Sequence, residues 1–156
     1  MDDKLIGEDG DDTYVVDSAN DIVTENFLEG TDTIRSSVTF TASKNVENLT
    51  LIGIDNINAA GNSLDNALTG NSGNNTLNGS NGDDILDGGS NDDILIGGSG
   101  ADTFIASNGT DQINDFNIND GDKISFVDNL SYSISQSAND LLITVNSLGN
   151  FLLKGI

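Results

Sequence analysis

The 156-residue sequence carries 26 acidic and only 5 basic residues, a formal net charge of −21 at pH 7. This charge repels phosphate backbones and so excludes nucleic-acid binding, and no apolar run is long enough to span a membrane. The absence of His and Cys removes thiolate metal sites, disulfides and the commonest catalytic base. The remaining side-chain ligands are oxygens, which suit hard cations such as calcium.

The N-terminal segment, residues 1–35, contains degenerate copies of a nine-residue pattern in which a polar turn precedes a short apolar stretch. An acidic residue stands at the sixth position of each copy. These residues are Asp3, Asp12, Asp21 and Asp32. Side chains one full coil apart should lie on the same edge, so we expect Asp3 to pair with Asp21 and Asp12 with Asp32.

Residues 36–60 keep alternating apolar positions but lack the Asp-Gly turns of the neighbouring segments. The alternation runs through Val38, Phe40, Leu49 and Leu51. Alternation of this kind favours short strands with one buried face. We therefore predict that this segment forms irregular coils that bind no ion.

The most regular segment, residues 61–114, repeats every nine residues in three columns. The first position carries Gly61, Gly70, Gly79, Gly88 and Gly97. The sixth position carries Asn66, Asn75, Asp84, Asp93, Asp102 and Asp111. The eighth position carries Leu68, Leu77, Leu86, Leu95, Phe104 and Ile113. Three columns that stay in phase over six units are typical of a repeat architecture.

Each nonapeptide consists of a turn followed by a minimal strand. The first six positions are rich in Gly, Asn, Asp and Ser, which form turns, and the last three form a strand whose middle side chain points inward. One such side chain cannot make a core alone, so the units must stack. Two units then complete one coil of a parallel β-solenoid, and the sequence predicts an all-β fold.

The composition changes in the C-terminal segment, residues 115–156. Its apolar residues alternate in short stretches separated by polar turn signals, a pattern typical of strands. A solenoid needs a cap that covers the edge of its last coil. We predict that this segment is a C-terminal β-strand cap.

The units 79–87 and 97–105 resemble the glycine-rich nonapeptide GGxGxDxUx of RTX (hemolysin-type calcium-binding) proteins. The segments 111–116 and 121–124 resemble the part that closes such arrays. The resemblance implies a right-handed parallel β-roll with calcium between successive turns on each edge. It also implies an extracellular or cell-surface protein, commonly exported by a bacterial type I secretion system.

The stacking of coils assigns candidate calcium ligands to the sixth position, because carboxylates one coil apart repel one another unless a cation lies between them. We expect Asp84 to pair with Asp102 and Asp93 with Asp111, and Asn75 with Asp93 to be a weaker pair because an amide is uncharged. Inward-pointing loop carbonyls complete the predicted ligand set: those of Gly79, Asn81, Gly82, Gly88, Gly89, Gly97, Gly98 and Gly100.

These patterns predict a secreted calcium-binding β-roll module that folds with calcium and forms a structural or secretion-linked part of a larger exoprotein. We expect no catalysis, since the Asp residues lie on repetitive turns and no single acidic pair stands out as a glycosidase would require. The alternative is a polysaccharide-binding or adhesin module. Calcium is the expected partner, and polysaccharide or neighbouring domains of the parent protein remain open as further partners.

Overall fold

The computed structural model describes residues 1–126, 132–137, 140–145 and 149–153. Every regular element in these ranges is a β-strand, and the strands form a β-solenoid of about 7 turns. The described part of the chain has no helix with the length and apolar character needed to cross a membrane. The predicted all-β parallel solenoid is therefore confirmed.

The strands are short, with two to six residues each. In chain order they are β1 (Lys4–Ile6), β2 (Thr13–Val16), β3 (Ile22–Thr24), β4 (Thr33–Ser36), β5 (Phe40–Thr41), β6 (Asn48–Leu51), β7 (Ala59–Ala60), β8 (Ala67–Thr69), β9 (Thr76–Asn81), β10 (Ile85–Asp87), β11 (Ile94–Ser99), β12 (Thr103–Ile105), β13 (Gly109–Ile113), β14 (Lys123–Ser125), β15 (Tyr132–Ser137), β16 (Asp140–Val145) and β17 (Gly149–Leu153).

Successive strands alternate between two faces of the solenoid. One face is a 7-stranded sheet in the order β14-β12-β10-β8-β6-β4-β2, and the other is an 8-stranded sheet in the order β15-β16-β17-β13-β11-β9-β7-β5, with β1 and β3 forming a separate pair. All pairs are parallel up to β13 and β14. Each coil therefore contributes one strand to each face, as two nonapeptides per coil require.

The core lies between the two faces, and each face contributes one column of stacked side chains. Leu68, Leu86 and Phe104 align on one face, and each is at most 1% exposed. Leu77 and Leu95 align on the other face and are fully buried. Burying one such side chain contributes about 1.5–3 kcal/mol, and each strand of residues 61–114 supplies only one of them. The core is therefore thin, and the turns must contribute to stability.

Residues 36–60 continue the same two sheets through β5, β6 and β7. On one face Asn48 aligns with Thr33 and with Ala67. On the other face Ala59 pairs with Phe40 in one neighbouring coil and lies opposite Leu77 in the next. This segment thus keeps the stacking register although its turns lack the Asp-Gly pattern.

A C-terminal meander confirms the predicted cap. β17 pairs in parallel with β13 at the edge of the last regular coil, and β15, β16 and β17 pair antiparallel with one another. Ile143 and Leu153 are buried in the core cluster. The remaining residues of the predicted cap, 127–131, 138–139, 146–148 and 154–156, lie outside the described residues.

Candidate metal centres

The sixth-position residues form a hydrogen-bonded ladder along each edge of the solenoid. On one edge the backbone N–H of Asp84 donates to Oδ1 of Asp102 at 2.9 Å, over a sequence separation of 18 residues. On the other edge the N–H of Asp93 donates to Oδ1 of Asp111 at 3.1 Å. The same bond joins Asp12 to Asp32 at 2.9 Å. The structure therefore brings together the residues that the nine-residue period pairs.

The second carboxylate oxygen is what makes these positions candidate metal centres. Asp84, Asp93 and Asp102 are at most 1% exposed. Their Oδ2 atoms are buried and have no hydrogen-bond partner among the described residues, and the same holds for Oδ2 of Asp12 and Asp32. Burying a carboxylate oxygen without a partner is costly. A hard cation that coordinates oxygen removes this cost, so the residues fit calcium.

Burial changes the acidity of these carboxyl groups. Desolvation, with a smaller contribution from the carboxylates of Asp102 and Asp111, respectively, raises the pKa of Asp84 and of Asp93 to about 7. Desolvation also raises the pKa of Asp102, and it raises that of Asp111 to about 6. The hydrogen bonds to Oδ1 oppose these shifts but do not cancel them. Without a cation, the ionised form of these side chains therefore disfavours the folded chain at neutral pH.

The conformation of the turn separates the sites with an unpartnered oxygen from those without one. The second position of the units that contain Asp84, Asp93 and Asp102 is held by Ser80, Gly89 and Gly98, respectively. All three have positive φ, between 85° and 105°. Glu8 precedes Asp12 in the same way, with a φ of 69°. A non-glycine residue in this region costs about 1 kcal/mol. In this conformation the N–H groups of Gly89 and Gly98 donate to other carboxylates, those of Asp87 and Asp115.

Asp21 shows the opposite arrangement. Its Oδ1 accepts the N–H of Asp3 at 2.8 Å, and its Oδ2 accepts the N–H groups of Asp17 and Ser18 at 3.1 Å each. The bond from Asp3 is the main reason that the pKa of Asp21 is lowered. Asp3 and Asp21 are thus adjacent as predicted, but both oxygens of Asp21 already have backbone partners.

Asp111 also has both oxygens engaged. The hydroxyl of Ser107 donates to its Oδ2 at 2.9 Å, while its Oδ1 accepts the N–H of Asp93. A hydroxyl can rotate to make way for a cation, whereas the backbone donors of Asp21 are fixed in place. Oδ2 of Asp111 can therefore become free to bind a cation more readily than either oxygen of Asp21.

The asparagines at the sixth position satisfy their surroundings without an ion. The Asn75 Oδ1 accepts the N–H of Asn71 at 2.9 Å, and its Nδ2 donates to the carbonyl of Ile57 at 2.6 Å. Asn66 behaves alike, accepting from Asn62 and donating to the carbonyls of the preceding coil. An amide both donates and accepts, so it replaces the contacts that a carboxylate leaves open.

Glycine at the first position leaves space beside the unpartnered Oδ2 atoms of the regular units. A Cβ on Gly79, Gly88 or Gly97 would overlap the Oδ2 of the Asp at the sixth position of the same unit. The Cβ on Gly79 would also overlap the carbonyl oxygen of Gly97 in the next coil. A predicted carbonyl ligand thus lies beside an unpartnered carboxylate oxygen.

The other predicted carbonyl ligands divide into two groups. Those of Gly79, Gly82 and Gly88 lie against a glycine of an adjacent coil. The carbonyl of Gly89 accepts the N–H of Asn108 at 3.3 Å. All the carbonyl assignments, including those of Asn81, Gly98 and Gly100, stay predictions.

Three acidic residues extend the ladder beyond the sequence prediction. Oδ1 of Asp122 accepts the N–H of Asp102 at 3.0 Å, and Oε2 of Glu47 accepts the N–H of Asp32 at 2.9 Å. Glu25 lies beside Asp12 and Asp32, and one carboxylate oxygen of each lies within 4.8 Å of the others. Asp122 was detectable, because an Asp two residues before the apolar Ile124 repeats the sixth- and eighth-position pattern. The coil from Asp102 to Asp122 spans 20 residues instead of 18, which displaces Asp122 from the nine-residue period.

Comparison with known proteins agrees with this geometry. Residues 2–23, 60–95 and 87–114 match the RTX calcium-binding nonapeptide repeat, in 4 copies. No curated protein sequence matches the chain. Among solved structures, the extracellular lipase LipA from Serratia marcescens matches the chain with a TM-score of 0.48 and 18% identity. That match covers 100% of this chain and only 37% of the lipase chain.

Proposed function

Since the chain belongs to the RTX calcium-binding nonapeptide repeat family, we propose that it is a β-roll module whose folding is completed by bound calcium. RTX repeats are typical of secreted bacterial proteins. We place the module outside the cell, as a structural or secretion-linked part of a larger protein exported by a type I system. The module has no catalytic activity of its own.

The observation that carries this proposal is the set of buried, unpartnered Oδ2 atoms. The proposed ligands are the carboxylates of Asp12, Asp32, Asp84, Asp93 and Asp102, with Asp111 joining when Ser107 rotates away. Loop carbonyls supply the remaining oxygens. Bound calcium would neutralise the carboxylates along each ladder and hold successive coils together.

The energetics explain why folding and binding should be coupled. The core supplies one side chain per strand, while the carboxylates repel one another and add to a net charge of −21. A site in the presence of ligand at 100 times its Kd contributes about 2.7 kcal/mol. Domains are typically stable by about 5–15 kcal/mol. The binding free energy of a few such sites is therefore comparable with the whole free energy of unfolding.

Far-UV circular dichroism and titration calorimetry with calcium test the proposal. We expect the chain to be largely disordered in excess chelator and to gain β-structure when calcium is added. Magnesium should act weakly at the same ionic strength, since it requires octahedral geometry and retains its waters. A spectrum that is identical in chelator and in calcium would refute calcium-dependent folding.

The same proposal assigns a different role to each segment of the chain. Residues 61–114 would form the regular calcium-binding part, residues 1–35 a second part with degenerate repeats, and residues 115–156 the cap. Residues 36–60 would connect the two parts without ions of their own. The polysaccharide-binding alternative stays a prediction, which a glycan array in calcium buffer would test.

A further inference from the structure

A cluster of three carboxylates near the N-terminus differs from every pair along the regular coils. Asp12 and Asp32 precede β2 and β4 on the same edge, and Glu25 directly follows β3. One oxygen from each of the three side chains lies within 4.8 Å of the other two. Glu25 and Asp32 are 6% and 1% exposed. The cluster therefore concentrates three acidic groups in a site that excludes most water.

Unpartnered oxygens face this cluster. Oε1 of Glu25 and Oδ2 of both Asp12 and Asp32 are buried without a hydrogen-bond partner among the described residues. The other oxygens have defined roles: the Tyr14 hydroxyl donates to Oε2 of Glu25, and the N–H of Asp12 donates to Oδ1 of Asp32. Each carboxylate thus keeps one oxygen available for a ligand.

Among the residues that the structure describes, no basic side chain forms an ion pair with any of the three acids. The one ion pair in the described part of the chain joins the N-terminal ammonium of Met1 to Asp17, at 3.6 Å. Burial, with smaller contributions from Asp32 and Asp12, raises the pKa of Glu25. Three buried acids without a counter-charge are a costly arrangement, which a bound cation relieves.

The backbone register explains how a third carboxylate enters. Because Asp21 and Val23 stand at the sixth and eighth positions, Glu25 occupies the first position of the next unit. Regular units have glycine there, and a Cβ on that glycine would overlap the sixth-position carboxylate. The coil from Asp12 to Asp32 spans 20 residues, whereas the regular coils span 18. The two extra residues make room for a side chain at the first position.

The same insertion occurs once more but gives a different result. Asp115 also follows a strand at the first position, and the coil from Asp102 to Asp122 again spans 20 residues. Its two oxygens accept the N–H groups of Gly97 and Gly98 at 3.0 and 2.8 Å. Asp115 is thus satisfied by backbone donors, whereas Glu25 keeps an unpartnered oxygen. The lengthened coil alone does not create the cluster, so the longer Glu25 side chain is the distinguishing element.

We propose that Asp12, Glu25 and Asp32 together bind one divalent cation of the calcium class, in a site with one more carboxylate than the regular pairs. The chain has no His or Cys, so the donors are oxygens and favour hard ions. Calcium affinity rises with the number of charged ligands. This site therefore binds its ion more tightly than the pairs of the regular coils. The inference rests on the proposed function, which already assigns Asp12 and Asp32 as calcium ligands, and it adds Glu25 as a third carboxylate.

Terbium luminescence tests this site selectively, because Tyr14 contacts Glu25 and can transfer excitation energy to a bound Tb3+ ion. The chain contains 2 tyrosines, so the measurements use Tyr132→Phe as the parent, which leaves Tyr14 as the sole sensitiser. We expect Glu25→Gln to weaken the tyrosine-sensitised binding of Tb3+ by about tenfold or more, since it removes a charged ligand. Asp55→Asn removes one negative charge from an exposed side chain far from the cluster in sequence and should leave the titration unchanged.

Equal Tb3+ titrations for Glu25→Gln and the parent would overturn the proposal. Should Glu25→Gln not fold, crystals of the parent with Tb3+ decide the matter: an anomalous peak bonded to all three carboxylates supports the site, and its absence there overturns it. Calcium-induced folding without Tyr14-sensitised emission would refute this site and leave the proposed function intact. Tyr14-sensitised emission without calcium-induced folding would support this site and refute calcium-dependent folding.

Discussion

Replacing Asp84 with Asn separates the cost of a buried carboxylate from the gain that calcium provides. Asn66 and Asn75 show that an amide fits the sixth position and finds partners there. Asp83→Asn is the matched control, because Asp83 is adjacent and exposed, and its Oδ1 accepts the N–H of Ala101 at 2.8 Å. Asn retains that acceptor. Both variants remove one negative charge, but only Asp84 has an unpartnered buried oxygen.

The magnitude follows from the pKa of Asp84, which burial raises to about 7. An ordinary Asp has a pKa of about 3.9, and each unit of difference corresponds to about 1.4 kcal/mol. Allowing for solvent screening, we take about half of this value, or about 2 kcal/mol, as the cost of the ionised side chain. Because the pKa is raised in the folded state, this cost is absent below pH 4 and complete above pH 7.

We therefore expect opposite effects in the two conditions. At pH 8 in excess chelator, Asp84→Asn should stabilise the folded chain by about 2 kcal/mol. In saturating calcium it should lose the contribution of a site, about 2.7 kcal/mol at 100 times the Kd. Far-UV circular dichroism during urea unfolding, across a calcium series, measures both effects. If the chain is unfolded in chelator, an osmolyte titration at each calcium concentration replaces urea.

The control fixes the interpretation of this experiment. Asp83→Asn should change the stability little and by similar amounts with and without calcium. If Asp84→Asn destabilised the chain in chelator, or responded to calcium as strongly as the parent, the assignment of its Oδ2 as a metal ligand would be wrong.

Three further predictions concern the same turns. In chelator, the free energy of unfolding should fall as the pH rises from 5 to 8, because the raised pKa values of Asp84 and Asp93 favour the folded chain only while these groups are protonated; a flat profile in urea titrations would contradict this. Asn75→Asp should lose stability in chelator and gain a calcium response, seen as extra heat in calorimetry; an unchanged isotherm would show that Asp93 cannot share an ion with it. Gly97→Ala should raise the calcium midpoint of folding, at a cost of about 1–3 kcal/mol, because its Cβ overlaps Oδ2 of Asp102; an unchanged midpoint in circular dichroism would show that the space is not needed.

The strands and the paired side chains were predictable because both depend on a fixed period. A nine-residue repeat determines which residues stack, and the apolar eighth position determines which of them point inward. Asn91 has a φ of 72° at the fourth position of its unit, which carries glycine in most of the regular units, as the tolerance of Asn for positive φ suggests. These features depend on local sequence and on neighbours exactly one coil away, which the sequence displays directly.

The features that sequence reasoning missed depend on the conformation of the turn. The asparagine and aspartate units have similar composition, yet Asn71 donates its N–H to the sixth-position side chain, whereas Gly89 has positive φ and does not. That difference reflects the balance between backbone strain and side-chain charge. The residue types at the repeated positions do not reveal this balance. Glu25 was missed because it stands at the first position, where the regular units carry glycine, and its acidic neighbours become apparent only when the coils are stacked.

The asparagine coils give the roll a segment that is complete without metal. Their amides bridge one coil to the one before it, and these coils lie between the two acidic parts of the chain. In a one-dimensional stack, where each unit contacts only its neighbours, folding can start at any locally stable unit and propagate outward. The asparagine coils are therefore the natural nucleus of the roll, and ordering would spread from them toward both ends as ions bind. When calcium is withdrawn, amide hydrogen exchange should accelerate first in the acidic coils and last in this nucleus.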